Sequence, residues 1–281
     1  NLLFMEIFVL LRLLIIFLGG LVAGSFINCV VWRLKQQENF LFGRSYCPEC
    51  RHKLNAVDLV PVISFLALGG HCRYCKKTIS WRYPLVELAT GILATVIAGC
   101  VAPMFIKFGI ISAPILAKLI YCWVLAIILE IIFICDLLWY FIPDGASIAG
   151  IITVLAARLW GYSSPEALLI FDRNSWSNVL LTGIFASLFF LSLVLISHGK
   201  WMGMGDAKYA FLMGFSLGFP QIIVGLALAF FGGAIIGLIL IAARRKKMSS
   251  EIPFGPFLSA GTLIALLFAD QIINWYLNLY A

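Results

Sequence analysis

Two aspartates stand where the chain leaves little room for charge. Asp136 closes the run Ile131-Ile132-Phe133-Ile134-Cys135, and Asp206 closes Gly203-Met204-Gly205-Asp206 just ahead of another apolar run. An ionised carboxylate against hydrocarbon costs about 3 kcal/mol on insertion scales, which makes such a residue a functional candidate. Two facing carboxylates cannot both ionise and so share a proton. One then takes a proton from water while its protonated partner polarises a carbonyl, the chemistry of aspartyl proteolysis. Gly203 and Gly205 fit that reading, because residues without side chains let the backbone turn tightly and a substrate strand approach. The plainer readings are that Asp206 caps the next helix and that Asp136 sits at a membrane interface setting topology.

A second set of chemical residues is Cys47-x2-Cys50, then 21 residues, then Cys72-x2-Cys75. Each CxxC offers two sulfurs on one tight turn, and two such turns complete a tetrahedral thiolate site suited to structural Zn²⁺. An iron–sulfur or redox role and incidental thiols are the alternatives. His52 and His71 lie beside the cysteines and read as bystanders, and His198 as interfacial. Cys29, Cys100, Cys122 and Cys135 lie in apolar runs and read as small hydrophobes.

The elements that must position these residues belong to a membrane protein. Of 281 residues, 63% are hydrophobic and 12% charged, against roughly 45–50% and about 25% in soluble chains. The expected fold is all-α and polytopic, with about eight transmembrane helices and a small cytoplasmic zinc-binding insertion after the first. Apolar runs lie near 5–31, 84–104, 112–135, 141–160, 178–198, 207–219, 220–242 and 256–279, with the boundary between the sixth and seventh set at Phe219-Pro220. The first run lacks a basic start and a clear cleavage site, so it reads as a retained crossing. The expected organisation is a first helix over 1–32, a four-cysteine module over 33–83 and a bundle over 84–281. No internal repeat stands out.

The formal net charge of +7 does not point to nucleic acid, because the basic residues cluster in particular connections and act as topology signals. The excess of Lys and Arg in 33–83 puts that segment in the cytoplasm. Alternation then puts 136–140, 199–206 and 243–255 on the same side, consistent with Arg244-Arg245-Lys246-Lys247. The 161–177 connection, with Glu166, Asp172 and Arg173, falls outside. Both aspartates therefore reach cytoplasmic helix boundaries.

Taken together, these motifs resemble the type IV prepilin peptidases, GxGD aspartyl proteases related to presenilin-type enzymes. The resemblance rests on Asp136 with Ile142-Pro143-Asp144, and on Gly203-Met204-Gly205-Asp206-Ala207-Lys208. Gly24-Ser25-Phe26-Ile27-Asn28, Arg33, Arg44 to Cys50, Pro61 to Phe65, Cys72 to Cys75, Arg82-Tyr83-Pro84-Leu85-Val86-Glu87 and Pro253-Phe254-Gly255-Pro256-Phe257 continue it in order. Lys35, where a proline is common, and Gly69-Gly70-His71 depart from the pattern and leave its core motifs intact. The resemblance implies that Asp136 and Asp206 are the catalytic pair. Asp144 is the competing first aspartate, better read as a helix cap, and Lys208 is assigned no role.

The resemblance further implies a bacterial inner-membrane enzyme acting at the cytoplasmic face. It would cut the leader of a prepilin or pseudopilin in the lipid bilayer, then methylate the new amino terminus with S-adenosylmethionine. Glu87 and Glu49 are candidates for recognising the basic leader. No nucleotide-binding glycine fingerprint marks a methyl-donor site. Two other classes stay open at this point: a proton-coupled transporter with a zinc-binding regulatory insertion, and a non-enzymatic membrane assembly factor.

Overall fold

The computed structural model describes residues 2–39, 43–163, 175–243 and 252–279. Among them every apolar run becomes helix, and the only β pairing is two isolated bridges, Tyr46 with Lys53 and His71 with Thr78. The chain divides into two units, Asn1–Leu119 and Ile120–Ala281. Arg244 to Lys247, and the connection carrying Glu166, Asp172 and Arg173, lie outside the described residues.

In the first unit α1 (Leu2–Gln36) packs along α3 (Arg82–Val101) and α4 (Pro103–Phe108). The α1–α3 crossing is close because α1 presents glycine there. A Cβ on Gly24 would stand 2.7 Å from the Cα of Glu87, so any side chain would force the helices apart. Arg12, a charge within apolar α1, donates from Nη1 to the Ile106 carbonyl at 3.1 Å near the end of α4, where helix carbonyls lack intrahelical partners. Between α1 and α3 the chain makes the cysteine module, with a 3-10 turn at Ala56–Leu59 and the short α2 (Ile63–Ala67).

α5 (Ala113–Trp139) leads into the second unit, which continues with α6 (Asp144–Ser163), α7 (Trp176–Ile196), α8 (Met204–Leu217), α9 (Gln221–Ala242) and α10 (Gly255–Asn278). α8 packs against α6, α7, α9 and α10 and buries Ala207, Tyr209, Ala210, Leu212, Met213 and Phe215. A helix apolar on all sides belongs inside a bundle. Gly214 meets α7 at Gly183, where an added Cβ would come within 2.7 Å of backbone. In the core the Tyr209 hydroxyl donates to Thr262 Oγ1 of α10 at 3.0 Å. The turn between α8 and α9 is clamped by Asn178, whose Oδ1 accepts from the Phe219 N–H at 2.8 Å and whose Nδ2 donates to the Phe219 carbonyl at 3.1 Å.

Among the described residues six helices are long and apolar enough to cross a membrane: α1, α3, α5, α7, α9 and α10. The other two expected crossings are also helical but differ in kind. α6 carries Asp144 and Arg158 within its apolar run. α8, at 14 residues, rises about 21 Å at 1.5 Å per residue, short of the ~30 Å hydrocarbon layer. Its neighbours on all sides are helices, so it has no need of a full lipid-spanning length. Many of the large apolar side chains left exposed, among them Leu10, Ile15, Phe185, Ile196, Phe231 and Leu238, lie on the spanning helices as a lipid-covered surface requires.

Candidate active site and cysteine centre

Asp136 is the fourth residue from the end of α5, and Asp206 is the third residue of α8. Both belong to the second unit, and both are buried, at 6% and 8% exposure. They are held in the same way. The Gly255 N–H, at the first position of α10, donates to Asp136 Oδ2 at 2.8 Å. The Gly203 N–H, just before α8, donates to Asp206 Oδ2 at 3.1 Å. Each carboxylate thus sits at a helix start, where unpaired amides and the helix dipole favour negative charge. Among the described residues Oδ1 of each is left without a hydrogen-bond partner.

The helix-capping reading of Asp206 and the chemical reading are both compatible with this geometry: the carboxylate caps α8 through one oxygen and is still buried. Asp144 has different surroundings. It opens α6, its side chain is 62% exposed, and Lys208 Nζ donates to its Oδ1 and Oδ2 at 2.8 and 3.0 Å. The backbone does not use the two motif glycines for a tight turn. Gly203 has φ −82° and ψ 158°, values any residue adopts. Gly205 is helical, and a Cβ there would press on Ile142 at 3.2 Å. What Gly203 supplies is its amide.

In the first unit the sulfurs of Cys47, Cys50, Cys72 and Cys75 all lie within 4.8 Å of one another, with Cys47 and Cys75 at 4.0 Å. Four thiolates at about 2.3 Å from one Zn²⁺ lie about 3.8 Å apart, so the cluster fits that ion. His52 stands outside it, stacked on Tyr74 at 3.7 Å between ring centroids, and His71 Nδ1 contacts the Gly69 carbonyl at 2.7 Å. Burial raises the Cys72 thiol, but the amides of Cys75 and Tyr74 and the neighbouring thiols bring it down to about 7. Cys75, lowered by the Lys77 amide, is pushed up by burial and its three sulfur neighbours to about 11.

The module also contains a repeat that the residue types conceal. The Cys47 N–H donates to the His52 carbonyl and Arg51 N–H to Cys47 O, as Cys72 N–H donates to Lys77 O and Lys76 N–H to Cys72 O. Leu54 N–H to Ser45 O matches Ile79 N–H to Gly70 O, and Arg51 and Lys76 share φ of 55° and 58°. These are two copies of one turn, 25 positions apart, which corrects the reading that the chain lacks a repeat. The two cysteines, the basic residue after them and the aliphatic pair Leu54 and Ile79 are shared in type, too few to register in the sequence. Lys77 pairs with Glu49 across the copies, and Arg73 Nε pairs with Asp58 at 2.6 Å. Glu87, on α3, accepts from the Val62 N–H at 2.7 Å. Of the acids considered for leader recognition, both are thus already engaged within the first unit.

Comparison with known proteins divides the chain along similar lines. Residues 18–101 match the family model described as the Bacterial Peptidase A24 N-terminal domain, and residues 123–238 match the Type IV leader peptidase family. Among named relatives, a prepilin leader peptidase/N-methyltransferase of Aeromonas hydrophila is 33% identical over 94% of this chain and 93% of its own length. One from Aeromonas salmonicida is 32% identical with the same coverage. One from Bacillus subtilis is 31% identical over 94% of this chain and 98% of its own. No solved structure matches.

Proposed function

The chain belongs to the type IV leader peptidase family, and on that premise we propose that it removes the leader of a prepilin or pseudopilin with Asp136 and Asp206 and then methylates the exposed amino terminus. The observation that carries the catalytic assignment is the matched anchoring of two buried carboxylates, seventy positions apart, by helix-start amides in one unit. Fixing Oδ2 of each side chain limits its rotation and leaves Oδ1 to do chemistry. The pair shares one proton. The ionised member draws a proton from water, the protonated member polarises the scissile carbonyl, and the roles exchange when the tetrahedral intermediate collapses. Helix-start amides offset the cost of keeping the shared negative charge away from bulk water.

The aspartates act at the cytoplasmic face in this reading, because the basic 33–83 segment sets the orientation and alternation carries it to 136–140 and 199–206. The substrate is a small membrane protein with a basic leader and one apolar helix. Cys47, Cys50, Cys72 and Cys75 would hold Zn²⁺, whose closed tetrahedral shell supplies folding energy. S-adenosylmethionine supplies the methyl group for the second activity.

The test is cleavage of a prepilin substrate by purified protein in detergent. Asp136→Asn and Asp206→Asn should each lower the rate by about 10³-fold or more while retaining the bound zinc. Cleavage surviving in either variant would remove the pair from the mechanism and return attention to a proton-coupled transporter, the class in which intramembrane carboxylates also occur. Mass spectrometry of the mature product, with S-adenosylmethionine present, reads the methyl group directly.

A further inference from the structure

The first unit contains a cavity of about 400 Å³ lined by α1, the start of α3 and the cysteine module. That is within the size range of sites for small organic ligands, about 300–1,000 Å³. Asn28, Trp32, Arg33, Arg82, Tyr83 and Glu87 are among its lining residues.

Two of these hold the wall together. Asn28 Nδ2 donates to the Tyr83 carbonyl at 3.0 Å, tying α1 to α3. Glu87, 8% exposed, accepts from Val62 N–H at 2.7 Å. Val62 has φ 59° and ψ −48°, a γ-turn conformation that a β-branched residue adopts only where its surroundings impose it. The wall is therefore pinned into its shape before any ligand arrives.

Two other groups are left over. Trp32 Nε1 and Arg82 Nε are buried N–H donors with no acceptor among the described residues. Buried donors are paired in the great majority of native sites, so two orphans on residues that line one cavity call for an acceptor from outside the chain. The acids nearby do not supply it: Asp58 is taken by Arg73, Glu49 by Lys77 and Glu87 by Val62. Arg82 stacks 4.9 Å from the Tyr83 ring and has no ion-pair partner among the described residues. An indole N–H and a guanidinium N–H on the walls of one cavity ask for an anionic oxygen. The aromatic faces of Trp32, Tyr83 and Phe65 offer stacking for a flat ring.

We propose that this cavity binds S-adenosylmethionine, its carboxylate on Trp32 Nε1 and Arg82 Nε and its cationic end toward Glu87. The assignment rests on the methyltransferase reading above, and the carboxylate, positive charge and flat base of that molecule answer the three kinds of group the cavity presents.

Titration calorimetry of the purified, zinc-loaded full chain in detergent with S-adenosylhomocysteine tests it, since this product analogue binds without turnover. The wild type should bind it. Arg82→Met should weaken binding by about tenfold or more, and Trp32→Phe, which keeps the ring and removes the N–H, by roughly fivefold. Zinc content checks that each variant is folded, and a variant without zinc is replaced by reading the other. If the wild type methylates its product yet both variants bind the analogue unchanged, the cavity assignment is overturned and the methyltransferase reading stands. If the product never gains a methyl group, that reading falls and the assignment with it. Inorganic phosphate that displaces the analogue at equal concentration would mark a general anion site and also overturn the assignment.

Discussion

The Gly255 amide meets Asp136 Oδ2 at 2.8 Å across 119 positions of the chain, so the start of α10 fixes a carboxylate near the end of α5. The approach leaves no room for a side chain. A Cβ on Gly255 would stand 2.6 Å from that same oxygen and 2.9 Å from the carboxyl carbon.

Gly255→Ala is therefore expected to displace the Asp136 carboxylate while keeping the helices. A shift of about 1 Å in a reacting group costs on the order of 10²-fold in rate. Cleavage assays should show a fall in kcat of that order with KM little changed, in protein whose far-ultraviolet circular dichroism and zinc content match wild type. Near-normal kcat would mean that the Gly255 contact does not hold a reacting carboxylate.

Asp144 provides the contrast. Its partner Lys208 and its exposure make it one half of a surface ion pair, which contributes about 0–1 kcal/mol. Asp144→Asn and Lys208→Met should each leave cleavage within about fivefold of wild type. A loss with Asp144→Asn as deep as that of Asp136→Asn would move the first reacting aspartate to position 144.

These contrasts also show what a sequence reveals. Asp136, Asp206 and the cysteines stand out because each breaks the composition around it: acids in apolar runs, thiols in paired spacing. The partners that hold them do not stand out. Gly255 and Gly203 act through main-chain amides, which every residue but proline carries, and the Lys208–Asp144 pair joins positions 64 apart. Two copies of the cysteine turn are alike in hydrogen bonds and φ, and differ in most side chains. Hydropathy marks α8 as a short apolar run; its place at the centre of the second unit comes from which helices surround it.

Removing the metal should affect the module first. Four thiols within 4.8 Å repel once ionised, and the binding energy of structural zinc is folding energy in small domains of this kind. Elemental analysis should find one zinc per chain, and Cys72→Ser or strong chelation should abolish it. Limited proteolysis should then cut between residues 43 and 81 while the helices persist by circular dichroism. A chain that binds no zinc yet resists the protease would show the turns to be stable without metal.

Asp58 should impose a pH dependence on the same module. Burial alone would raise its carboxyl, but bonds from Arg73 Nε, the Asn55 amide and the Tyr74 hydroxyl outweigh this and hold it below the ordinary carboxylate value. A group whose pKa is lower folded than unfolded stabilises the fold above its unfolded pKa, and that contribution fades as pH drops toward its folded value. The relevant window opens near pH 4, the unfolded carboxylate value of about 3.9, and extends downward. At neutral pH Asp58→Asn removes the Arg73 pair and should therefore speed proteolysis of the module relative to wild type. Below pH 4 the two proteins should converge, as wild-type Asp58 becomes protonated. The comparison is best made as a ratio of the two cleavage rates at each pH, with an acid-active protease at the low end, because zinc loss at low pH weakens both proteins alike. A ratio that stayed constant across that range would show that the Asp58 charge does not stabilise the turn.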